Sequence, residues 1–279
     1  MDHFTYRDGA LNAEEVPLAR IAAEVGTPVY VYSAATLTRH FNLFREALAW
    51  TPHLVCYAVK ANSNLAVLRL LGGLGAGMDV VSGGEYARAV AAGVPGERIV
   101  FSGVGKTRDE MARAIAGGIR QFNVESEPEL AVLSEVAAAM GAEVPIAVRV
   151  NPDVDARTHA KIATGKSENK FGIPIARARE VYAQAARLPG LRVVGIDMHI
   201  GSQLTDLAPY RQAYGKMADL CRVLRADGHA ISRLDMGGGL GIPYRRGNEA
   251  PPLPLEYGQV IRETVGDLGC EIEIEPGRN

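Results

Sequence analysis

Lys60 lies in the hexapeptide Tyr57-Ala58-Val59-Lys60-Ala61-Asn62, at the point where a short apolar run ends. Leu54, Val55, Cys56 and Tyr57 read as a buried strand, and Asn64 followed by Leu65-Ala66-Val67-Leu68 reads as the start of a helix. An amine at the carboxyl end of a strand is placed for nucleophilic chemistry, although a solvated strand-end lysine is the commoner explanation when one is met alone. Lys60 is not alone. Other apolar segments end in Ser82-Gly83-Gly84-Glu85, Arg149-Val150-Asn151-Pro152, His199-Ile200-Gly201-Ser202-Gln203, Gly237-Gly238-Gly239-Leu240-Gly241 and Glu275-Pro276-Gly277-Arg278.

These residue types share one chemistry. Gly237, Gly238 and Gly239 let backbone amides approach a phosphate closely, whereas a glycine triplet by itself is equally a turn. Ser202 adds a hydroxyl donor and Arg278 a charged fork, for the same phosphate or for a substrate carboxylate. His199 has a flat ring able to stack on a planar cofactor, or to serve as a hydrogen-bonded core histidine. Glu275 is a costly buried carboxylate unless a cation meets it, and a protonated pyridine nitrogen is such a cation. Phosphate site, stacking ring, pyridinium partner and amine together describe pyridoxal 5′-phosphate held as a Schiff base on Lys60.

The elements that must position these groups follow from hydrophobic period. Strand-like runs occur at Leu54–Val59, Met78–Ser82, Ile99–Ser102, Gln121–Val124, Ile146–Val150, Val193–Ile200, Leu234–Met236 and Glu271–Glu275. Helical segments between them carry their own punctuation. Thr107 with Glu110 and Ser126 with Glu129 read as capping boxes, Pro128 as a first-turn proline, and Gly93, Gly141 and Gly228 as residues after helix ends. Alternating strand and helix imply a parallel sheet, which eight units close most naturally into a (β/α)8 barrel; an open doubly wound sheet is the alternative. In such a barrel every strand-to-helix loop opens on one face, so the residues above meet at one mouth. The first 50 residues read as a short helix at Leu18–Val25, a strand at Val29–Tyr32 and a helix from Ser33 towards Ala47, covering one end of the barrel. Gly247 to Pro254 reads as a surface linker.

Composition narrows the function. With 30 basic and 32 acidic residues, a formal charge of -2 and no run of like charge, the chain has no electrostatic reason to bind nucleic acid or an anionic membrane. No apolar stretch approaches the roughly 18 residues a membrane span needs, and the amino terminus lacks a secretory pattern, so a cytoplasmic protein is expected. Cys56, Cys221 and Cys270 are widely spaced, without metal-ligand spacing, and read as reduced core thiols; no metal is expected. Small-molecule chemistry fits this balance.

Five segments carry a resemblance: Tyr57–Asn62, Gly77–Glu85, His199–Gln203, Gly237–Tyr244 and Glu275–Arg278. In register along nearly the whole chain, they resemble the diaminopimelate decarboxylases, members of the alanine-racemase-fold group of pyridoxal-phosphate decarboxylases. Thr164–Ile173 is similar to that family's active-site loop. The Gly-Ile-Pro-Tyr ending at Gly241–Tyr244 favours diaminopimelate over ornithine or arginine as substrate. The resemblance implies an α/β fold, a TIM-like barrel of the alanine racemase amino-terminal type over 34–279, and a segment 1–33 that joins a carboxyl-terminal β-domain. It implies decarboxylation of meso-2,6-diaminopimelate to L-lysine, with Lys60, His199 and Glu275 catalytic. Cofactor contacts would come from Lys60, Asp79, Arg149, His199, Ser202, Gly237, Gly238, Gly239, Glu275, Gly277 and Arg278, and substrate contact from Arg278. The family works as a homodimer, and its β-domain, which follows the Glu-Pro-Gly-Arg motif, supplies further active-site groups. Since this chain stops at Asn279, the expectation is a truncated, aggregation-prone barrel, inactive alone. A non-catalytic barrel that binds pyridoxal phosphate is the alternative from another class.

Overall fold

Eight parallel strands close on themselves in the computed structural model, which describes residues 3–155, 171–244 and 251–278. Ahead of them lies a small antiparallel sheet of β1 (Phe4–Arg7), β2 (Ala10–Ala13) and β3 (Val16–Pro17). The barrel strands are β4 (His53–Ala58), β5 (Gly77–Val80), β6 (Ile99–Phe101), β7 (Gln121–Val124) and β8 (Val144–Asn151), then, after the two-residue β9 (Ile173–Pro174), β10 (Leu191–Asp197), β11 (Arg233–Asp235) and β12 (Glu271–Ile274). Neighbours pair in sequence order, β12 pairs with β4, and β10 pairs with both β8 and β11, which closes the ring. This is the (β/α)8 barrel expected from the strand-helix alternation.

Alternation along each strand explains the interior. Val55, Met78, Val80, Ile99, Phe101, Phe122, Val124, Ile146, Val148, Ile196, Leu234, Ile272 and Ile274 belong to the continuous apolar core. Residues of the opposite parity meet across the barrel: Asn123 Nδ2 donates to Asp235 Oδ2 at 3.0 Å, and Gln121 Nε2 donates to Glu273 Oε2 at 3.2 Å. Neither pair of strands is adjacent in the ring, so these bonds run through its interior. Branched apolar side chains usually fill such interiors. Here a polar column does, starting near the amino ends of the strands, where Arg120 pairs with Glu273 and Glu271.

The helices α1 (Leu18–Val25), α2 (Ala34–Ala47), α3 (Leu65–Gly73), α4 (Gly83–Ala91), α5 (Arg108–Ala116), α6 (Glu127–Ala139), α7 (Ile175–Ala185), α8 (Ala208–Ala226) and α9 (Pro254–Val265) supply the rest. Asn64, Ser82, Thr107 and Ser126 cap α3 to α6 by accepting an amide bond, as short polar side chains at helix starts do. The Thr107 box is complete. At Ser126 only half forms, because Glu129 turns to the Glu125 amide and to Lys106 instead. Gly93, Gly141 and Gly228 follow helices with φ of +87°, +62° and +94°, a region side chains disfavour.

Two expectations are corrected. Val29–Tyr32 joins no sheet; Tyr30 is 89% exposed, so neither burial nor a partner strand stabilises a ladder there. Helix α2 covers no barrel end: it packs in the outer ring against α9, α3 and β4, with the α9 residue Gly258 so close that a Cβ there would lie 2.6 Å from the Ala47 carbonyl. The antiparallel β1–β3 sheet was not anticipated, since its strands are too short to show a period. Among the described residues no helix is long and apolar enough to cross a membrane.

Candidate active site

A cavity of about 520 Å³ opens at the carboxyl ends of the strands. Lys60, His199, Ser202, Gly237, Gly238, Gly239, Glu275, Gly277 and Arg278 all line it. Asp79 and Arg149 do not; both stand behind it.

Lys60 follows β4 in one 3-10 turn, Val59–Ala61, which lifts its side chain off the ladder. Its Nζ donates to Asp79 Oδ2 at 2.7 Å, with the lysine side chain 54% exposed and the aspartate fully buried. Burial pulls the amine pKa down, but Asp79 and Glu275 more than offset this and hold it above the ordinary lysine value. The second Asp79 oxygen, Oδ1, is buried and has no partner among the described residues.

His199 leaves β10 with Nδ1 accepting the Gly238 amide at 3.2 Å. Accepting at Nδ1 places the ring proton on Nε2. Desolvation, then the charges of Arg149 and Lys60, push its pKa down to about 3, so the ring is neutral.

Arg149, on β8, donates from Nη1 to Glu125 Oε1 at 2.9 Å and lies 4.0 Å from Asp197 through Nε. Glu125 Oε1 also accepts the Gly103 amide at 2.7 Å, tying the ends of β6, β7 and β8 together. Glu275 Oε1 meets Ser102 Oγ at 3.2 Å and Asn123 Nδ2 at 3.4 Å. Asp197, Asp235 and Glu275 have oxygens within 4.8 Å of one another. All three carboxyls are pushed well above the ordinary carboxylate range, chiefly by burial and then by one another. Three buried like charges at that spacing cannot all ionise.

At the other wall, Arg278 Nε donates to Ser202 Oγ at 2.9 Å, and its guanidinium also reaches the Tyr244 hydroxyl. The glycine loop is compressed between its neighbours: a Cβ on Gly238 would lie 2.1 Å from the Glu275 carbonyl, and one on Gly239 2.1 Å from the Gly201 carbonyl. Close packing of three loops, as well as open access to a ligand, therefore requires glycine there.

Sequence reasoning missed Ser102, Asn123, Glu125, Asp197 and Asp235. Their signal was available as polar residues within strands (Asn123, Asp197, Asp235) or directly after them (Ser102, Glu125), each preceded by an apolar residue. They share the inward parity of Lys60, Asp79, Arg149 and Glu275, but parity implicates a site only once the ring is known to close. In the loop Thr164–Ile173, residues 164–170 lie outside the described residues; Phe171 sits beneath the Arg149 guanidinium at 5.7 Å. Of the linker 247–254, residues 247–250 likewise lie outside them.

The arrangement fits pyridoxal phosphate. It offers an accessible amine, a neutral flat ring, a buried carboxyl cluster short of cations with unpartnered oxygens on Asp79 and Asp197, and a glycine loop beside a serine and an arginine. Known proteins agree with this chemistry. Residues 34–279 match the family described as pyridoxal-dependent decarboxylase, pyridoxal binding domain. A diaminopimelate decarboxylase of Pseudomonas aeruginosa is 53% identical over all of this chain and 67% of its own length, and one of Vibrio cholerae serotype O1 is likewise 53% identical with the same coverage. The crystal structure of diaminopimelate decarboxylase from Helicobacter pylori complexed with L-lysine superposes with a TM-score of 0.89 at 40% identity, covering 94% of this chain and 66% of that one. The chain thus spans about two thirds of the length of these relatives.

Proposed function

The chain belongs to the pyridoxal-dependent decarboxylase family, among the diaminopimelate decarboxylases, and on that footing we propose that it forms the cofactor-binding barrel for conversion of meso-2,6-diaminopimelate to L-lysine and carbon dioxide. The observation that carries this reading is the half-exposed Lys60 amine, 2.7 Å from a buried Asp79 and opening into a cavity that His199 and Glu275 also line. When bound, pyridoxal phosphate supplies an electron sink for the pair left on the α-carbon as carbon dioxide departs.

The residues divide that work. Lys60 would be the covalent anchor, and Asp79, accepting from Nζ at 2.7 Å, aims the amine. His199, neutral and fixed through Nδ1 by the Gly238 amide, offers its face to the ring without adding positive charge. Glu275 sits where a protonated ring nitrogen would relieve the crowding of Asp197, Asp235 and Glu275, and its carboxyl would accept that N–H. Arg149 anchors the acidic side through Glu125. Gly237 to Gly239, Ser202, Gly277 and Arg278 form the anion wall, taking the phosphate and, at Arg278, the substrate carboxylate. Residues 1–33 would join the carboxyl-terminal β-domain while 34–279 form the cofactor-binding barrel, and the working protein would be a cytoplasmic homodimer.

The test is direct. Purified protein supplied with pyridoxal phosphate shows the visible band of the lysine-bound cofactor, and Lys60→Ala loses it; once the carboxyl-terminal β-domain expected of the family is supplied, lysine and carbon dioxide form from meso-diaminopimelate in preference to ornithine or arginine. A protein that, with that domain supplied, binds the cofactor yet releases carbon dioxide from no diamino acid would instead be a non-catalytic binder.

A further inference from the structure

Every carbonyl of the loop Met236–Gly239 is occupied by a protein donor. The Gly237 oxygen accepts the Glu275 amide at 2.8 Å and the Gly239 oxygen the Leu204 amide at 2.9 Å. The other two are held by side chains from α8: Tyr214 donates to the Met236 oxygen at 2.9 Å and Tyr210 to the Gly238 oxygen at 3.2 Å. Both tyrosines are fully buried. Because Tyr214 spends its proton on Met236, its oxygen accepts from Tyr257, 2.8 Å away on the cavity wall. The three rings pack on each other at 5.1–6.3 Å between centroids, so none can swing away alone.

The electrostatic consequence is specific to an anion. A carbonyl oxygen left free beside a phosphate would repel it, and a peptide free to rotate could present either its N–H or its oxygen. With all four oxygens turned into the protein, the loop can face its ligand only with N–H groups and glycine CH₂. Three of those four N–H groups are themselves committed, that of Met236 to the Glu273 carbonyl at 2.9 Å, that of Gly237 to Asp235 and that of Gly238 to His199. The Tyr210 bond holds the oxygen of the Gly238–Gly239 peptide and so fixes the direction of the Gly239 N–H, while the Gly238 N–H that meets His199 belongs to the peptide whose Gly237 oxygen accepts the Glu275 amide.

We propose that Tyr210 and Tyr214 are positioning residues for phosphate: by holding the Gly238 and Met236 carbonyls they give the site its preference for the phosphorylated cofactor over unphosphorylated pyridoxal. This rests on the glycine loop being the phosphate wall.

Titration of the cofactor-free protein with pyridoxal phosphate and with pyridoxal yields a ratio of dissociation constants. Tyr210→Phe and Tyr214→Phe are each expected to weaken pyridoxal phosphate about tenfold, the effect of one buried hydrogen bond, with pyridoxal changed less than about twofold. Tyr182→Phe is the control. Its hydroxyl is equally buried but donates to the Gly195 oxygen at 2.8 Å, far from the loop, so it lowers the melting temperature and leaves the ratio alone. Equal weakening of both ligands in the loop variants, or no weakening, overturns the inference while the phosphate-wall reading stands. A wild-type protein that binds both ligands equally overturns that reading and the inference with it. If one loop variant does not fold, the other reads the same ratio.

Discussion

Two lysine-carboxylate pairs in this barrel have the same 2.7 Å separation and different surroundings. Lys106 follows β6, and its side chain has no solvent exposure; its Nζ donates to the Gly103 oxygen at 2.7 Å, the Asn123 oxygen at 2.8 Å and Glu129 Oε1 at 2.7 Å. Three acceptors use all three protons of the ammonium. Among the described residues Lys60 has one acceptor, a side chain 54% exposed, and a partner aspartate with one oxygen unused. Completeness separates the two. Lys106 is a clamp that holds the ends of β6 and β7 against α6, and so holds Glu125 and Arg149 in place, whereas Lys60 keeps bonding capacity in reserve for a ligand. Neither distance nor charge alone would have told the reactive pair from the structural one.

Removing each lysine should widen that contrast. Lys60→Met is expected to abolish the visible band of the bound cofactor and, with the carboxyl-terminal β-domain supplied, to lower lysine formation by at least about 10³-fold, the scale of deleting a covalent catalyst; stopped assays of carbon dioxide release measure it. Lys106→Met should leave the band in whatever protein folds but cost about 3–5 kcal/mol in a urea titration, because Glu129 is left buried without its cation. Burial already holds the Glu129 carboxyl above its ordinary range, against the pull of Lys106. Converting Lys106 and Glu129 together to Met should therefore recover at least about 1 kcal/mol of that loss, since no lone charge remains. A double variant no more stable than Lys106→Met would show that the backbone bonds to Gly103 and Asn123, rather than the ion pair, make the clamp.

The smallest effect lies in pH. The folded amine of Lys60 is held above its unfolded value, so the stability it contributes is complete below the ordinary lysine pKa and is lost as pH rises through the raised one. In Asp79→Asn the amine pKa falls, and that alkaline loss should begin at lower pH in thermal melts. An alkaline limb unmoved by Asp79→Asn would place the control of Lys60 in Glu275 instead.

Much of this fold is legible in local chemistry. The strand runs, the caps at Asn64 and Thr107 and the glycines after helices at 93, 141 and 228 are set by near-neighbour sterics and by amides that need an acceptor, and these act over four or five residues. The lining of the mouth was legible for the same reason, because Lys60, His199, Gly237 and Glu275 each stand where a strand ends. Val29–Tyr32 shows the limit: its residues favour a strand, but no partner strand lies beside it.

What the sequence by itself determined is the order of elements, the inward parity of each strand and the set of reactive residues at one face. Only the closed ring decided that Asn123 meets Asp235, that Asp197 crowds Glu275, that Tyr210 reaches the Gly238 carbonyl, and that Lys106 is sealed while Lys60 stays open. The physical reason is that charge and hydrogen-bond energies depend on how much water a site excludes and which partners it brings close. Those quantities come into being when strands far apart in sequence become neighbours around one axis.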